Sequence, residues 1–210
     1  MMSDLVSQLG LSRVAVLTSS QEALLGLRSA LLAKPTLTRS IVFDEEIAPG
    51  DVEIFSLVTR MIGRKPDVVI GLTLPPQSAT LAKLLKNQGY SGRLLVGPPT
   101  YNFSEIKAAN GALGEALLVG PKSGLSDAFF KRYQEHYGEP SVAEGMYGYD
   151  GAKLLIDAAK SGDISEFIRN LKSIKGSAGW YPINADNLFE VPAEIKVITR
   201  GGDVATYRGE

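Results

Sequence analysis

"DVVIGLTLPPQSATLAKLLKNQGYSGRLLVG" runs from Asp67 to Gly97, and its reading decides the fold. It opens on Val68 to Leu72, a run that is apolar without alternation. Such a run is expected of a strand covered on both faces of its sheet. Pro75 and Pro76 follow. Leu81, Leu84 and Leu85 then recur at helical spacing until Gly89, and a second apolar run, "RLLVG", closes the unit. Strand, helix and strand in so short a span predict a βαβ crossover. The prolines are expected in the first turn of the helix, where no N–H is lost and φ already suits. "GPPTYN", Gly97 to Asn102, repeats the device after the next strand.

The same alternation extends in both directions. "RVAVLT", Arg13 to Thr18, reads as a strand. Ser19 to Glu22 fits the S-x-x-E capping box, in which a hydroxyl and a carboxylate satisfy free N–H groups at a helix start. A helix through "ALLGLRSALLA" follows, then a strand at "RSIVFD", with the acidic Asp44 to Glu46 expected in the loop after it. "GDVEIFSLVTRMIG" predicts a helix, with Ile54, Leu57, Val58 and Met61 on one face. "SEIKAANGALGEALLVG" predicts a short helix and a fifth strand from Ala116 to Gly120. The class is α/β, with a doubly wound, mainly parallel, Rossmann-like sheet. Beyond that strand the character changes. "SDAFFKRYQEHYG", "SVAEGMYGYDGAKLLIDAAKSG" and "ISEFIRNLKSI" read as consecutive helices. "GWYPINADN" reads as a strand and turn, and "EIKVIT" with "VATY" as a closing hairpin around "RGGD".

Composition narrows the function classes. The chain has 210 residues, 44% hydrophobic, with a net charge of −1 and no cysteine. Disulfides, thiolate metal sites and cysteine nucleophiles are therefore excluded. Neither nucleic acid nor an anionic membrane is an expected partner, because both call for a basic patch. No stretch approaches a transmembrane helix in length, so no membrane insertion is expected. "MMSDLVSQLGLSRVAVL" lacks the apolar core of a secretory signal. With Met1 as a native start, the chain would be cytoplasmic.

Catalytic signatures are sparse. The single histidine, His136, lies among charged neighbours on an expected helix and reads as a solvated side chain. No nucleophile elbow, Walker loop or G-x-G-x-x-G is found, and one histidine cannot make an H-E-x-x-H site. No enzyme activity, catalytic residue, metal or cofactor is expected. Binding remains. In an open α/β sheet, ligands sit outside the carboxyl ends of the strands. The candidate contacts there are Ser19, Ser20, Thr73, Leu74, Thr100 and Tyr101.

"SRVAVLTSSQEALLG", "KPDVVIGLTLPPQSATLAKLLKNQGYSGRLLVG", "GALGEALLVGPKS", "FFKRYQEHYGEPSVAEGMYGYDGAKLLIDA" and "GWYPINADN" stand in that order along the chain. Together they resemble the type I periplasmic binding proteins of the leucine/isoleucine/valine-binding kind. These are the solute-binding components of ABC transporters. The resemblance implies a two-lobed fold that closes on a ligand in the cleft, a periplasmic location and an ABC permease as partner. It also implies that residues 1–120 and 188–210 form the family's second lobe. Residues 121–187 would be a mostly helical part of the first lobe, incomplete at its amino-terminal side.

Two departures from the family shape the expectations. Without the initial β/α units of the first lobe, the apolar faces around Tyr147, Tyr149, Leu154, Leu155, Phe167, Ile168 and Leu171 lack their sheet. A homodimer or domain-swapped partner would cover them. Amino-acid binders often carry an aromatic residue where Leu74 stands, some carry a carboxylate where Pro99 stands, and an aromatic-glycine pair is replaced by Ala23 and Leu24. An apolar or aromatic acid, or a neutral solute, is thus a better expected ligand than a free amino acid. The alternative role is a ligand-sensing or regulatory module of the same fold acting through dimerisation.

Overall fold

The computed structural model describes residues 1–138, 141–185 and 187–209. Glu139 and Pro140 of the "YGEPS" motif, and Asp186 of "GWYPINADN", lie outside the described residues. The first elements are α1 (Met2–Gln8), β1 (Val14–Ser19), α2 (Glu22–Leu32), α3 (Pro35–Thr38), β2 (Ile41–Ile47) and α4 (Phe55–Gly63). They continue with β3 (Val68–Leu72), α5 (Gln77–Asn87), β4 (Arg93–Val96), a 3₁₀ turn at Pro98–Thr100, α6 (Phe103–Ala108) and β5 (Leu117–Pro121). Next come α7 (Asp127–Tyr137), α8 (Ala143–Lys160), α9 (Ile164–Asn170), β6 (Ser173–Gly176) and β7 (Gly179–Pro182). The chain closes with β8 (Ala193–Ile198) and β9 (Val204–Thr206).

The main sheet has the order β2-β1-β3-β4-β5-β8-β9, and β1 to β5 pair in parallel. This is the doubly wound α/β architecture expected from the sequence. β1 is buried at every residue because both of its faces are covered. Val14 and Val16 pack with Leu5, Val6, Leu31 and Leu37 beneath α1, α2 and α3. Ala15 and Leu17 point the other way, into Val58 and Met61 of α4 and Leu81 and Leu85 of α5. Gly71, in the middle of β3, permits that second layer. A Cβ there would stand 2.8 Å from Leu81 Cδ2.

The chain forms two compact units. Unit 1 is Met1–Val119 with Ile195–Glu210, and unit 2 is Gly120–Glu194. Unit 2 has its own small core of Phe129, Met146, Ala178 and Tyr181. Asp150 on α8 is buried beside it and accepts from Ser177 N–H, Ser177 Oγ and Tyr181 Oη, each at 2.7 Å. α7 ends on Gly138 at φ 75°, the left-handed stop that glycine takes without strain.

Several local expectations are corrected. The β1–β2 ladder runs on to the Ser19–Ile47 pair, which makes Ser19 a strand residue. Helix α2 therefore starts later, with Gln21 as an N-cap that makes no side-chain bond, and the capping box does not form. Asp44 to Glu46 lie inside β2, not in a loop after it. β2 is an edge strand, and Arg28 pairs with Asp44 and Glu46 there while Arg60 faces Glu45. Charged edges of this kind also discourage strand addition. Helix α4 begins at Phe55, because Asp51 Oδ1 accepts from Glu53 N–H and holds the preceding residues in a turn. The third expected helix of unit 2 stops at Asn170, and Ser173–Gly176 pairs antiparallel with Gly179–Pro182.

Candidate functional site

β1 has β2 on one side and β3 on the other, so consecutive connections diverge at its carboxyl end. That divergence is where open α/β sheets leave a crevice for ligands. The loops that edge it follow β1, β3 and β4. Ser19 to Gln21, Thr73 to Ser78 and Gly97 to Asn102 contain no Asp, Glu, Lys, Arg or His.

The β3 and β4 loops are stitched together below the surface. Thr73 Oγ1 and Ser78 Oγ lie 2.8 Å apart, and Thr100 Oγ1 donates to Ser78 Oγ at 2.9 Å. All three residues are fully buried. Gln77, also fully buried, donates from Nε2 to the carbonyls of Ala48 at 2.7 Å and Asp51 at 3.0 Å. It thereby ties the start of α5 to the loop after β2. Neither proline stands inside α5. Gln77 N–H bonds Leu74 O at 2.7 Å, Pro76 is the N-cap, and the first intrahelical bond is Thr80 N–H to Pro76 O. The 3₁₀ turn at Pro98 does use its proline at the first position.

Glu105 completes the floor. Asn102 Oδ1 caps α6 by accepting from Ser104 N–H and Glu105 N–H. The Glu105 side chain turns inward, 3% exposed, and its carboxylate accepts from Ala79 N–H at 2.6 Å. Burial pushes its pKa above the ordinary carboxylate range, against the hydrogen bond at α5 and the charge of Lys83.

The predicted site residues fall into two sets. Thr73 and Thr100 are brought together through Ser78, with their hydroxyls turned into the protein. Tyr101 is buried beside them, its ring 6.2 Å from Phe103. Ser19 is buried, and its Oγ has no hydrogen-bond partner. Ser20 is exposed, and its N–H is spent on Ile47 O at 2.8 Å. Leu74 is half-buried, with Pro98 and Pro99 half-buried after the neighbouring strand. The available surface is thus hydroxyl at Ser20 and hydrocarbon at Leu74 and the prolines. Sequence reasoning missed Gln77, Ser78 and Glu105. A polar pair directly after two prolines, at the start of an apolar helix, is the one local sign that the first two turn inward.

The fold matches a known architecture along most of the chain. The family model described as periplasmic binding protein matches residues 1–186. The chain belongs to the periplasmic binding protein family. Among solved structures, the leucine-binding protein LivK of Thermotoga maritima superposes with a TM-score of 0.86 at 22% identity, covering 99% of this chain and 63% of that one. The branched-chain amino acid transporter substrate-binding protein LivJ of Streptococcus pneumoniae, in complex with isoleucine, gives 0.81 at 20% identity, with 98% and 62% covered. An ABC-transporter solute-binding protein of R. palustris in complex with benzoate gives 0.83 at 20%, with 97% and 60% covered. This family member therefore spans about three-fifths of the length of those relatives, and the likeness to them is one of fold. No curated protein matches the chain. Among the described residues no helix is long and apolar enough to cross a membrane, and no cluster of three or more His, Asp or Glu side chains is placed to hold a metal. His136 is exposed in the last turn of α7, its ring edge-on to Tyr137.

Proposed function

We propose that the chain works as a solute-binding protein of ABC-type uptake, holding a small organic ligand at the carboxyl ends of β1, β3 and β4. The observation that carries this reading is the absence of any formal charge in the three loops that edge the crevice. A ligand ammonium placed there would lose a charged hydrogen bond worth roughly 1.5–3 kcal/mol. A neutral solute, or the hydrocarbon part of an apolar or aromatic acid, meets Leu74, Pro98 and Pro99 without that loss, and the carboxylate of such an acid would accept from the Ser20 hydroxyl. Ser20 and Leu74 make direct contact, and Ser19, Thr73, Thr100 and Tyr101 shape the floor beneath. The benzoate complex of the R. palustris relative supports an aromatic acid as a ligand within this fold. The role is binding rather than turnover. Ligand favours the form that binds it better, and a membrane permease reads that form. The setting is the periplasm, as for the family.

Thermal shift tests the reading directly. Melting temperature should rise with benzoate, aliphatic acids or neutral solutes more than with leucine or isoleucine. A rise confined to free amino acids would overturn the ligand class, and no rise with any solute would overturn the binding role.

A second reading is favoured by unit 2. α8 is eighteen residues long and buries only Ala143, Met146, Asp150 and Ala158. Tyr147, Tyr149, Leu155, Ile156, Ile164 and Ile168 are exposed, while Leu154, Phe167 and Leu171 are half-buried. So many exposed apolar side chains on one unit point to an association site. In this reading a second copy covers it, and the protein senses ligand through dimerisation. Light scattering on the purified chain should then give twice the monomer mass at micromolar concentration, whereas a monomer would exclude it.

A further inference from the structure

We propose that the amino-terminal edge of the unit 1 sheet carries a second binding surface, which takes an acidic, extended segment of a partner protein. At that edge lies a groove of about 940 Å3. Its walls are the last turn of α5, the approach to β4, the turn before β5, and Arg200 between β8 and β9. β4 pairs with β5 only at Leu95–Leu117 and Val96–Leu118, so Arg93 and Leu94 stand ahead of that ladder on the groove wall. Tyr90 and Leu94, both half-buried, provide an apolar seat. All of this lies within unit 1 and at the opposite end of the strands from the ligand floor.

The charge of the groove is one-sided. Lys86, Arg93 and Arg200 line it against a single carboxylate, Glu115. Glu115 is already occupied, accepting from Arg200 at 2.8 and 3.1 Å. Lys86 and Arg93 have no ion-pair partner among the described residues. On a chain of net charge −1 this is a local concentration of positive charge. The negative end of the α5 dipole accounts for Lys86, which stands in the last turn of that helix. It does not account for Arg93, the first residue of a strand. The three cations are exposed. A small-molecule pocket would enclose most of its ligand, whereas an open groove with charged rims and an apolar seat suits a chain laid across it. Acidic side chains would meet Lys86 and Arg93, and one apolar side chain would rest on Tyr90 and Leu94.

A fluorescent Glu-rich decapeptide with a central Phe, followed by anisotropy, tests this on the purified chain. Saturable binding is expected that weakens with salt, is absent for the Lys-rich counterpart, and falls about tenfold in the Lys86→Glu/Arg93→Glu double variant. Arg93→Gln alone should weaken it by a smaller factor, and matching melting curves show that the variants are folded. Three results would overturn the proposal: no saturable binding, equal affinity in the double variant, or displacement of the peptide by inorganic phosphate at matched concentration, which would make the groove a small-anion site.

Discussion

The two compact units solve the problem of stability in different ways. Unit 1 buries β1, β3 and both helical layers in an apolar core, with Leu17, Ile70, Leu72 and Leu81 almost fully removed from water. Unit 2 has a small apolar core and centres on a buried carboxylate, Asp150, held by three donors. Unit 1 is thus supported by non-directional burial and unit 2 by directional bonds. Such a difference predicts opposite sensitivities. Unit 1 should feel the loss of volume, and unit 2 the loss of an acceptor.

Leu17→Ala is the largest expected effect. It deletes fully buried methyl groups between α4, α5 and the sheet, and about 2–5 kcal/mol of stability should go with them in a urea titration. A loss below 1 kcal/mol would show that the layer collapses around the gap. Asp150→Ala comes next. It leaves Ser177 N–H, Ser177 Oγ and Tyr181 Oη without their acceptor, and buried groups left unmade cost about 1–3 kcal/mol. Hydrogen exchange should show Ser177 and Ala178 losing protection while β1 keeps its own. Asp150→Asn retains one carbonyl oxygen and should recover part of the loss. Equal loss of protection in β1 would show that the two units unfold as one.

How legible these features are from the chain alone follows the same division. β1 and β3 are plain in sequence because a strand covered on both faces has no polar residue to place, and the parallel sheet follows from them. Helix starts are less plain, since tertiary pairing decides them. Ser19 carries a capping signature, yet the Ser19–Ile47 pair takes it into the sheet. The site shows the same limit. Leu74 and Ser20 reach the surface at strand ends, as the topology alone requires. Thr73 and Thr100 are joined only through Ser78, a contact between loops far apart in sequence that no local pattern records. Asp150 and Glu105 sit in segments with exposed charges around them, and only the fold turns these two inward.

Glu105 gives the smallest effect and the sharpest comparison with Asp150, because it is a buried carboxylate of unit 1 with one close donor instead of three. Its pKa is raised, chiefly by burial. The folded state therefore binds the proton more tightly than the unfolded state. The stability that protonation confers is fully present below the ordinary glutamate range and is lost as pH rises through the raised value. Glu105→Gln keeps an oxygen for Ala79 N–H but carries no charge to desolvate. Relative to the native chain it should gain stability as pH rises through that window, with a difference of no more than about 1 kcal/mol at pH 7. Glu105→Ala removes the acceptor as well, and should cost about 1–2 kcal/mol below the window, with the same relative gain as Glu105→Gln as pH rises through it. Urea midpoints taken on both sides of the window would separate these outcomes. A Glu105→Gln difference that does not change with pH would mean that the carboxylate is solvated in the folded state. The floor beneath the ligand surface would then be open to water, and the contrast between the two buried acids would disappear.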